Sequence, residues 1–320
     1  MSSTAFDAII IGAGPAGLTA GIYLGRAKMN TLILNEGTVG GQLVLTHEVA
    51  NYPGVESTSG YQLATTMKNQ AQKFGCAIRS NVSITRFDLD GETKIVEVDG
   101  CETFTAPVVI LATGGRSRSL GVPGEADLRG KGISYCATCD GDFFQDKNII
   151  VVGGGNSALE EAVSLTKYAA SVTIVHQFDH FQASAHAIQA AKDNPKISFI
   201  MESTIAEFIG QDSLEGVKIK HIPTGKLTEM SIDGVFVFIG YVPNTETLRG
   251  LVDLNEAGEI NVSPLLETNI PGVFAAGDSI AKRHRQITTA VADGTVAALS
   301  AIDYLRTVGE RRLVEEVANI

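Results

Sequence analysis

Short runs of apolar residues recur along the chain, and each run ends at glycine, a polar residue or an acid. Continuous apolar runs of this length are typical of strands buried on both faces, as in a parallel sheet. Stretches with helical spacing follow several of the runs. The pattern therefore predicts an α/β fold, with strands at the following positions: Asp7–Ile11, Thr31–Leu34, Val108–Ala112, Ile149–Val152, Val172–Val175, Val235–Ile239 and Gly272–Asp278.

The first run leads into a glycine-rich turn. Asp7–Ile11 is followed by Gly12-Ala13-Gly14-Pro15-Ala16-Gly17, a helical stretch Leu18–Arg26 and a second strand that ends at Asn35-Glu36. Such glycines allow a tight turn and close approach of a pyrophosphate to the helix N-terminus. Glu36 lies 19 residues after Gly17, close to the spacing of the acid that binds a ribose hydroxyl. This order of elements predicts a dinucleotide site.

The same order recurs in the middle of the chain. The strand Ile149–Val152 leads into Gly153–Ala158, then a helical stretch Leu159–Tyr168 and the strand Val172–Val175. Alanine is an allowed variant at the third glycine position. The residue 19 positions after Ala158 is Gln177, which is neither an acid nor an arginine. We predict a second nucleotide-binding unit whose ribose-binding position is altered.

Composition narrows the function classes. The chain has 320 residues, 44% hydrophobic and 19% charged, which is typical of a soluble protein of about two domains. Its net charge of -11 argues against nucleic acid or an anionic membrane as a partner. No run of about 18 apolar residues is present, so we expect no membrane span. The absence of an export signal predicts a cytoplasmic location, where Cys-x-x-Cys is more often catalytic or metal-binding than structural.

Cys136-Ala137-Thr138-Cys139-Asp140 lies between the two glycine-rich patterns. In such a pair the second thiol resolves a mixed disulfide formed by the first, so reducing equivalents pass on without a trapped adduct. Asp140 can give or take the proton that this exchange requires. As an alternative, Asp140 and the glycine that follows it form only a turn.

Metal binding is the alternative for these side chains. A structural zinc site needs four ligands, usually from a second pair, but Cys76 and Cys101 are isolated and are predicted to be small buried hydrophobes. His176 and His180 are four residues apart, yet we interpret them as part of a polar surface segment. We therefore predict no metal site.

Six segments together resemble the small bacterial-type thioredoxin reductases. The resemblance implies two Rossmann-like, three-layer domains of the flavin disulfide reductase type. Residues 1–114 and 245–320 would form a discontinuous FAD-binding domain, and 115–244 an inserted pyridine-nucleotide-type domain that carries the redox cysteines. It also implies a homodimer and thioredoxin as partner. The segments are Gly12–Gly17, Gly40–Leu43, Ala112–Gly114, Cys136–Asp140, Gly153–Glu161 and Gly272–Asp278 with Arg285-Gln286.

The resemblance also implies roles for individual residues. Cys139 would face the flavin, Cys136 would attack the partner's disulfide, and the spacing alone does not assign these two roles. The implied FAD contacts come from four parts of the chain: Gly12, Gly14, Pro15, Ala16, Asn35 and Glu36; Gly41, Gln42, Leu43, Asn51 and Val82; Ala112, Thr113 and Gly114; and Gly277, Asp278, Arg285, Gln286 and Ile287.

The chain departs from the family at the residues that would contact the electron donor NADPH. Members that use NADPH carry His-Arg-Arg-Asp-x-x-Arg-Ala after the fifth of the predicted strands, whereas this chain has Gln177, Phe178 and Gln182 in place of the arginines. A charge-assisted hydrogen bond to phosphate is worth about 1.5–3 kcal/mol. We therefore predict a donor other than NADPH, with ferredoxin or a reduced deazaflavin favoured. NADH, with Asp179 at its ribose, is the alternative.

The sequence thus predicts an FAD-dependent reductase that passes electrons through Cys136 and Cys139 to thioredoxin. A flavin dithiol oxidase with the same two groups, and a flavin redox sensor without turnover, are the competing functions.

Overall fold

The computed structural model describes residues 3–46 and 48–318. Two compact units form the chain: unit 1 is Met1–Arg116 with Val242–Ile320, and unit 2 is Ser117–Tyr241. The connecting segments, Gly115–Ser117 and Tyr241–Pro243, form a two-stranded sheet. The sequence predicted these divisions after residue 114 and before residue 245, and the ligand assigned to each unit stays a prediction.

In chain order the strands of the described ranges are β1 (Ser3–Ala5), β2 (Ala8–Ile11), β3 (Thr31–Asn35), β4 (Ala77–Ser80), β5 (Ile84–Asp88), β6 (Lys94–Val98), β7 (Glu102–Ala106), β8 (Val108–Leu111), β9 (Gly115–Ser117), β10 (Ile133–Ser134), β11 (Asn148–Val152), β12 (Ser171–Val175), β13 (Ile197–Ile200), β14 (Ser203–Gly210), β15 (Leu214–His221), β16 (Leu227–Ser231), β17 (Gly234–Val237), β18 (Tyr241–Pro243) and β19 (Val273–Ala275).

The α-helices are α1 (Pro15–Arg26), α2 (Gly60–Lys73), α3 (Glu125–Leu128), α4 (Ala137–Asp140), α5 (Asn156–Leu165), α6 (Ala185–Lys192) and α7 (Ile287–Ala318). Among these described helices, none is both long and apolar enough to cross a membrane.

Unit 1 is built on a parallel sheet with the strand order β19-β8-β2-β3-β4. Ile10 of β2 pairs with Ile33 of β3 and Ile110 of β8, and all three are fully buried. Helix α1 packs against α2 and against α7. The second sheet, β1-β7-β6-β5, contributes Val96 and Phe104 to the same hydrophobic core. The unit thus has helices, a parallel sheet and a mainly antiparallel sheet.

Unit 2 repeats this design with the parallel order β10-β17-β11-β12-β13 and an antiparallel sheet β14-β15-β16. Successive side chains of a strand point to opposite faces, and the two cores follow this rule. Ile149 and Val151 of β11 belong to the core that contains α5 and α6. Ile150 and Val152 belong to the core formed with the antiparallel sheet. The predicted fold class, two three-layer Rossmann-like domains, is confirmed.

Several predicted bounds differ from the structure. Helix α1 begins at Pro15 rather than Leu18, because proline is well suited to the first helical position and Gly14 precedes it as the N-cap. Helix α5 runs from Asn156 to Leu165, so it begins and ends three residues earlier than the predicted stretch Leu159–Tyr168.

Candidate functional site

The turn between β2 and α1 is sterically restricted to glycine at two positions. Gly12 has φ +106°, and a Cβ there would lie 2.2 Å from the carbonyl oxygen of Ala112. A Cβ on Gly17 would lie 1.9 Å from the carbonyl oxygen of Gly12. At Gly14, by contrast, a Cβ would meet no atom within 4 Å. The turn is therefore tight on the protein side and open at Gly14.

The open position coincides with the start of α1. Gly14 is the N-cap, no side chain caps the helix, and Pro15 occupies its first turn. Uncapped N–H groups together with the helix dipole make such an end a site for an anion. The predicted FAD contacts Gly14, Pro15 and Ala16 all lie at this end of α1.

Asn35 and Glu36 lie at the end of β3, as the dinucleotide pattern predicts. The Asn35 side chain accepts a hydrogen bond from Ala13 N at 2.9 Å, so it holds the glycine-rich turn in place. One oxygen of Glu36 accepts a hydrogen bond from Ile84 N at 3.3 Å. The N–H of Val82, a buried residue, donates to the carbonyl oxygen of Asn35 at 3.3 Å.

The predicted flavin-side segment 41–43 lies beside the same turn. Gly40 has φ +114°, and its N–H donates to the carbonyl oxygen of Ala13 at 2.7 Å. A 3-10 helix, Gly41–Leu45, follows and includes Gln42 and the buried Leu43. A Cβ on Gly41 would lie 3.2 Å from Cα of Gly14.

Strand β8 delivers Ala112, Thr113 and Gly114 to the neighbouring end of the sheet. Ala112 N donates to Ile11 O at 2.7 Å, and Asn244 Nδ2 donates to Thr113 O at 3.0 Å. The hydroxyl oxygen of Thr113 is buried and has no hydrogen-bond partner in residues 3–46 and 48–318. A buried polar atom without a partner is costly, so this hydroxyl fits a ligand group.

The C-terminal segment approaches α1 through small residues. Gly277 has φ +80°, and a Cβ there would lie 2.9 Å from the Cβ of Ala16. The N–H of Gly277 donates to Asp293 at 3.1 Å. Lys282 lies 2.7 Å from Asp293 Oδ2 and 3.4 Å from Asp278 Oδ1. Burial raises the pKa of the Asp278 carboxyl, and Lys282 partly opposes this shift.

Further predicted FAD residues meet each other across the sequence. Asn51 Nδ2 donates to Gln286 Oε1 at 3.5 Å, although the two are 235 positions apart. Arg285 pairs with Glu259, and Ile287 begins α7.

These features fit a bound dinucleotide. The open space at Gly14, the uncapped start of α1 and the buried hydroxyl of Thr113 all lie at the carboxyl end of one parallel sheet, which is where such sheets bind nucleotides. The individual contacts stay predictions.

In unit 2, Cys136 and Cys139 form a disulfide with an S–S distance of 2.08 Å and a Cα–Cα distance of 5.3 Å. Cys136 is the N-cap of the short helix α4, and its Sγ accepts a hydrogen bond from Cys139 N at 3.2 Å. Both cysteines are partly exposed. A disulfide that is accessible at a helix start can exchange with an external thiol.

Asp140 is the last residue of α4. Its carboxylate accepts a hydrogen bond from a residue that was not predicted from the sequence. The hydroxyl of Ser134 donates to Asp140 Oδ2 at 2.6 Å and accepts from Cys136 N at 3.1 Å. Ser134 is the last residue of β10 and is 5% exposed. Its position two residues before Cys136 was the only signal available in the sequence, because the strand that it ends was not among the predicted ones.

A second missed group is the buried carboxylate of Glu125, which is 4% exposed. It accepts hydrogen bonds from Leu120 N at 2.9 Å, from Gly121 N at 2.6 Å and from the Tyr135 hydroxyl at 2.7 Å. Burial and the bond to Glu125 raise the pKa of Tyr135. Because Tyr135 immediately precedes Cys136, this contact anchors the segment that leads into the disulfide.

The glycine-rich turn of the second nucleotide unit is also sterically restricted to glycine at two positions. Gly153 has φ +139°, and a Cβ there would lie 2.3 Å from the carbonyl oxygen of Phe238. A Cβ on Gly154 would lie 2.3 Å from Cε1 of His176. The turn is followed directly by α5, which begins at Asn156.

The segment after β12 differs from the predicted polar surface run. His176 is buried, stacks on Phe181 with a centroid distance of 5.7 Å, and donates from Nε2 to the carbonyl oxygen of His180 at 3.1 Å. Burial lowers its pKa. The interpretation of His176 as a surface residue was wrong because its ring packs on Gly154, which has no side chain.

The three positions that replace arginines, Gln177, Phe178 and Gln182, are exposed. Asp179, also exposed, is paired with His180 at 2.6 Å. No group of three or more His, Cys, Asp or Glu side chains that could hold a metal ion occurs within the described residues.

One further expectation concerned the two other cysteines. Cys76 is buried, as predicted, and burial raises its pKa to about 11. Cys101 is exposed, so the prediction of a small buried hydrophobe was wrong for this residue. It lies in the turn between β6 and β7, where no layer covers it.

Comparisons with known proteins point to a single family. The family model described as pyridine nucleotide-disulphide oxidoreductase matches residues 6–294. Thioredoxin reductase of Peptoclostridium acidaminophilum is 46% identical, covering 94% of this chain and 97% of that protein. Thioredoxin reductase of Bacillus subtilis is 42% identical, covering 95% of this chain and 96% of that protein.

A solved structure gives the same result. Thioredoxin reductase from Streptococcus pyogenes matches with a TM-score of 0.92 and 39% identity, covering 96% of this chain and 100% of that one. The members of the matched family are FAD-dependent disulfide oxidoreductases. The chain therefore belongs to the pyridine nucleotide-disulphide oxidoreductases, as an FAD-dependent enzyme of the low-molecular-weight thioredoxin reductase type.

Proposed function

We propose that the protein reduces the disulfide of thioredoxin through Cys136 and Cys139. The observation that carries this proposal is the disulfide at the start of α4, with Asp140 in the same helical turn. The names of the relatives supply the substrate class. Bound FAD supplies the pair of electrons that reduces this disulfide.

The exchange then follows from the two thiols. The Cys136 thiolate attacks one sulfur of the thioredoxin disulfide, so a mixed disulfide forms and the thioredoxin S–S bond breaks. The displaced thioredoxin thiolate takes a proton from the Asp140 carboxyl. The Cys139 thiolate next attacks Cys136 Sγ, which re-forms the internal disulfide and releases reduced thioredoxin. Two electrons and two protons pass from the dithiol to thioredoxin. One proton, lost by Cys136, passes through Asp140 to the first thioredoxin sulfur. The proton lost by Cys139 goes to the second thioredoxin sulfur, which leaves Cys136 as a thiolate.

Residues of unit 1 hold FAD in this proposal. The start of α1 takes the pyrophosphate, and Glu36 takes the adenosine ribose. The C-terminal segment around Asp278 and Gln286 completes the site. Support comes from the open space at Gly14 and from the buried Thr113 hydroxyl.

The disulfide route can be tested without the physiological electron donor, because the flavin can be reduced chemically. The flavin of the purified protein is reduced anaerobically with dithionite and then mixed with oxidised thioredoxin. We expect the oxidised flavin spectrum to return in the unaltered protein and in the control Cys101→Ser, but not in Cys136→Ser or Cys139→Ser. Flavin that is reoxidised equally fast in either of the last two variants would refute the route.

The same preparation separates the competing functions. A dithiol oxidase would consume oxygen rapidly with a small dithiol and no other reductant. A redox sensor would leave thioredoxin oxidised while its own flavin is reduced normally. The proposal requires slow oxygen consumption together with stoichiometric thiol formation in thioredoxin.

We further propose that the electron donor is not NADPH. The positions that carry arginine in NADPH-using members are Gln177, Phe178 and Gln182, and no lysine or arginine occurs from residue 176 to 191. A 2′-phosphate therefore lacks its cationic partners. Reduced ferredoxin or a reduced deazaflavin is the proposed donor, with NADH through Asp179 as the alternative. Supplying each donor in turn with thioredoxin present, and measuring thioredoxin thiols, identifies the one that supports turnover.

A homodimer and a cytoplasmic location complete the proposal. The family resemblance supports the homodimer, which light scattering of the purified protein at micromolar concentration tests: a monomer mass would refute it. The location follows the expectation from the sequence, since in a reducing compartment a Cys-x-x-Cys pair is more often catalytic than structural.

A further inference from the structure

The hydroxyl of Ser134 connects the two chemical groups of the Cys-x-x-Cys-Asp motif. Ser134 ends β10 and is 5% exposed. Its Oγ lies 2.6 Å from Asp140 Oδ2, 3.1 Å from Cys136 N and 3.3 Å from Cys136 O. One buried side chain therefore contacts both the backbone of the first cysteine and the carboxylate that follows the second.

The short contact has the geometry of a charge-assisted bond. An O–H group that donates to a carboxylate typically lies 2.5–2.7 Å from it, and such a bond is about twice as strong as a neutral one. The hydroxyl has a single proton, and the 2.6 Å contact to Asp140 is the shorter of its two acceptor contacts. The Cys136 N–H, in turn, supplies a donor to the hydroxyl oxygen.

The backbone explains why this serine can reach both groups. Ile133–Ser134 is a strand of the parallel sheet, paired with β17 through Val235 and Phe236. The strand end is therefore fixed by the sheet, while α4 is a helix of only four residues. A side chain on the sheet can restrain a carboxylate on a short helix that has few hydrogen bonds of its own.

We propose that Ser134 is a positioning residue for Asp140 in the dithiol–disulfide exchange. The hydroxyl holds the carboxyl group at the strand end that carries Cys136, in one orientation, while Asp140 gives its proton. This inference rests on the proposed role of Asp140. It assigns Ser134 no covalent step: the hydroxyl keeps its own proton throughout.

The hydrogen bond also has a consequence for pH dependence. A bond donated to the charged form of a carboxyl favours that form. Without the hydroxyl, Asp140 retains its proton to higher pH. The pH profile of the exchange should therefore move to higher pH in a variant without the hydroxyl, a change that a purely structural role of Ser134 would not produce.

The test measures electron transfer from the dithionite-reduced protein to oxidised thioredoxin, as a function of pH, in Ser134→Ala, Ser134→Thr, Asp140→Asn and the Ser134→Ala/Asp140→Asn double variant. We expect Ser134→Ala to lower the rate about 10-fold, the loss of one charged hydrogen bond, and to shift the profile to higher pH. Ser134→Thr keeps the hydroxyl and should stay within about 3-fold of the unaltered rate. Asp140→Asn should lose about 100-fold.

The double variant decides how Ser134 acts. If Ser134 works through Asp140, the double variant should be no slower than Asp140→Asn alone. A further 10-fold loss in the double variant would mean that Ser134 acts through the Cys136 backbone, and would overturn the inference. An unaltered rate and pH profile in Ser134→Ala would overturn it too.

The proposed function fails separately: thioredoxin that stays oxidised with the unaltered, dithionite-reduced protein would refute the function itself, whatever Ser134 does. If Asp140→Asn exchanges at the unaltered rate, Asp140 has no role and the inference falls with that premise. If Asp140→Asn is slow but Ser134→Ala is not, only the inference falls. Should Ser134→Ala not fold, Ser134→Val provides the second variant, because it has the shape of the Ser134→Thr side chain but lacks the hydroxyl. We expect the same loss and pH shift there, and an unaltered profile would be contrary to the inference.

Discussion

At the nucleotide turn of unit 1, two glycines two positions apart have opposite surroundings. Gly12 is enclosed by backbone, whereas Gly14 faces open space. Their alanine variants should therefore fail in different ways. Gly12→Ala should not give folded protein, because its methyl group would overlap the Ala112 carbonyl oxygen and its φ is unfavourable.

Gly14→Ala should fold but hold FAD poorly, since the methyl group enters the space at the start of α1 that a pyrophosphate would occupy. We expect FAD affinity to fall at least about 10-fold, or 1.4 kcal/mol. Titration of the apoprotein with FAD, alongside a thermal melt without FAD, separates binding from folding. Unaltered FAD affinity in Gly14→Ala would contradict the assignment of this space to the cofactor.

Cys76 predicts a loss of stability at alkaline pH. Burial raises its pKa to about 11 in the folded protein, from an ordinary value of 9.0. Between these values the unfolded chain releases the proton and the folded protein keeps it, so the free energy of unfolding should fall by up to about 1.4 kcal/mol per pH unit. Below pH 9 the Cys76 thiol is protonated in both the folded and the unfolded protein, so it causes no loss of stability there.

Urea unfolding between pH 8 and pH 11 measures this slope. Cys76→Ala should flatten it, whereas Cys101→Ser, at an exposed thiol, should leave it unaltered. An equally steep slope in Cys76→Ala would mean that other groups control the alkaline stability.

Sequence alone predicts residues whose chemistry is local. Cys136 and Cys139 are three positions apart, so their pairing needs no knowledge of the fold. Ser134 and Glu125 could not be predicted, because a buried serine or glutamate shows its partners only once the strand and helix are in place. His176 shows the same limit, since its burial depends on the missing side chain of Gly154.

At the scale of elements, α7 packs on α1 through Gly294. A Cβ on Gly294 would lie 2.2 Å from the carbonyl oxygen of Ala16. Gly294→Ala should separate the helices and destabilise the protein by about 1–3 kcal/mol. Gly309, in the same helix, has no atom within 4 Å of a Cβ, so Gly309→Ala should be neutral or stabilising by up to about 1 kcal/mol. Equal unfolding midpoints in urea for the two variants would argue against close packing at Gly294.

The strand–turn–helix elements were the most predictable part of the fold. Apolar runs and glycines mark β2, α1, β11 and α5, because each such segment carries its own signal. The antiparallel sheets were not predicted. Their strands, such as Leu227–Ser231, are partly exposed and lack a continuous apolar run, so only pairing with neighbours defines them.

For the whole molecule, the predicted fold class, the cofactor FAD and the disulfide oxidoreductase class are confirmed. The donor cannot be derived from the fold, because the glycine-rich turn of unit 2 is intact whichever donor is used. The choice of donor depends on the side chains after β12. These side chains are exposed, so the fold places few constraints on which residues occur there.

Introducing arginine at the three altered positions after β12 should create NADPH binding. The triple variant Gln177→Arg, Phe178→Arg, Gln182→Arg supplies the cationic donors that a 2′-phosphate requires. We expect NADPH affinity to rise about 100-fold or more over the unaltered protein, measured by calorimetric titration. Gln189→Arg, an exposed position on α6, should not raise it. A triple variant that still ignores NADPH would show that the arginines are not what the site lacks.

The donor proposal is tested most directly by the flavin spectrum itself. Purified protein with oxidised FAD is mixed anaerobically with micromolar NADPH, and the flavin absorbance is followed in a stopped-flow instrument. We expect the flavin to stay oxidised with NADPH and to be bleached after addition of reduced ferredoxin or reduced deazaflavin. Rapid bleaching by micromolar NADPH would contradict it.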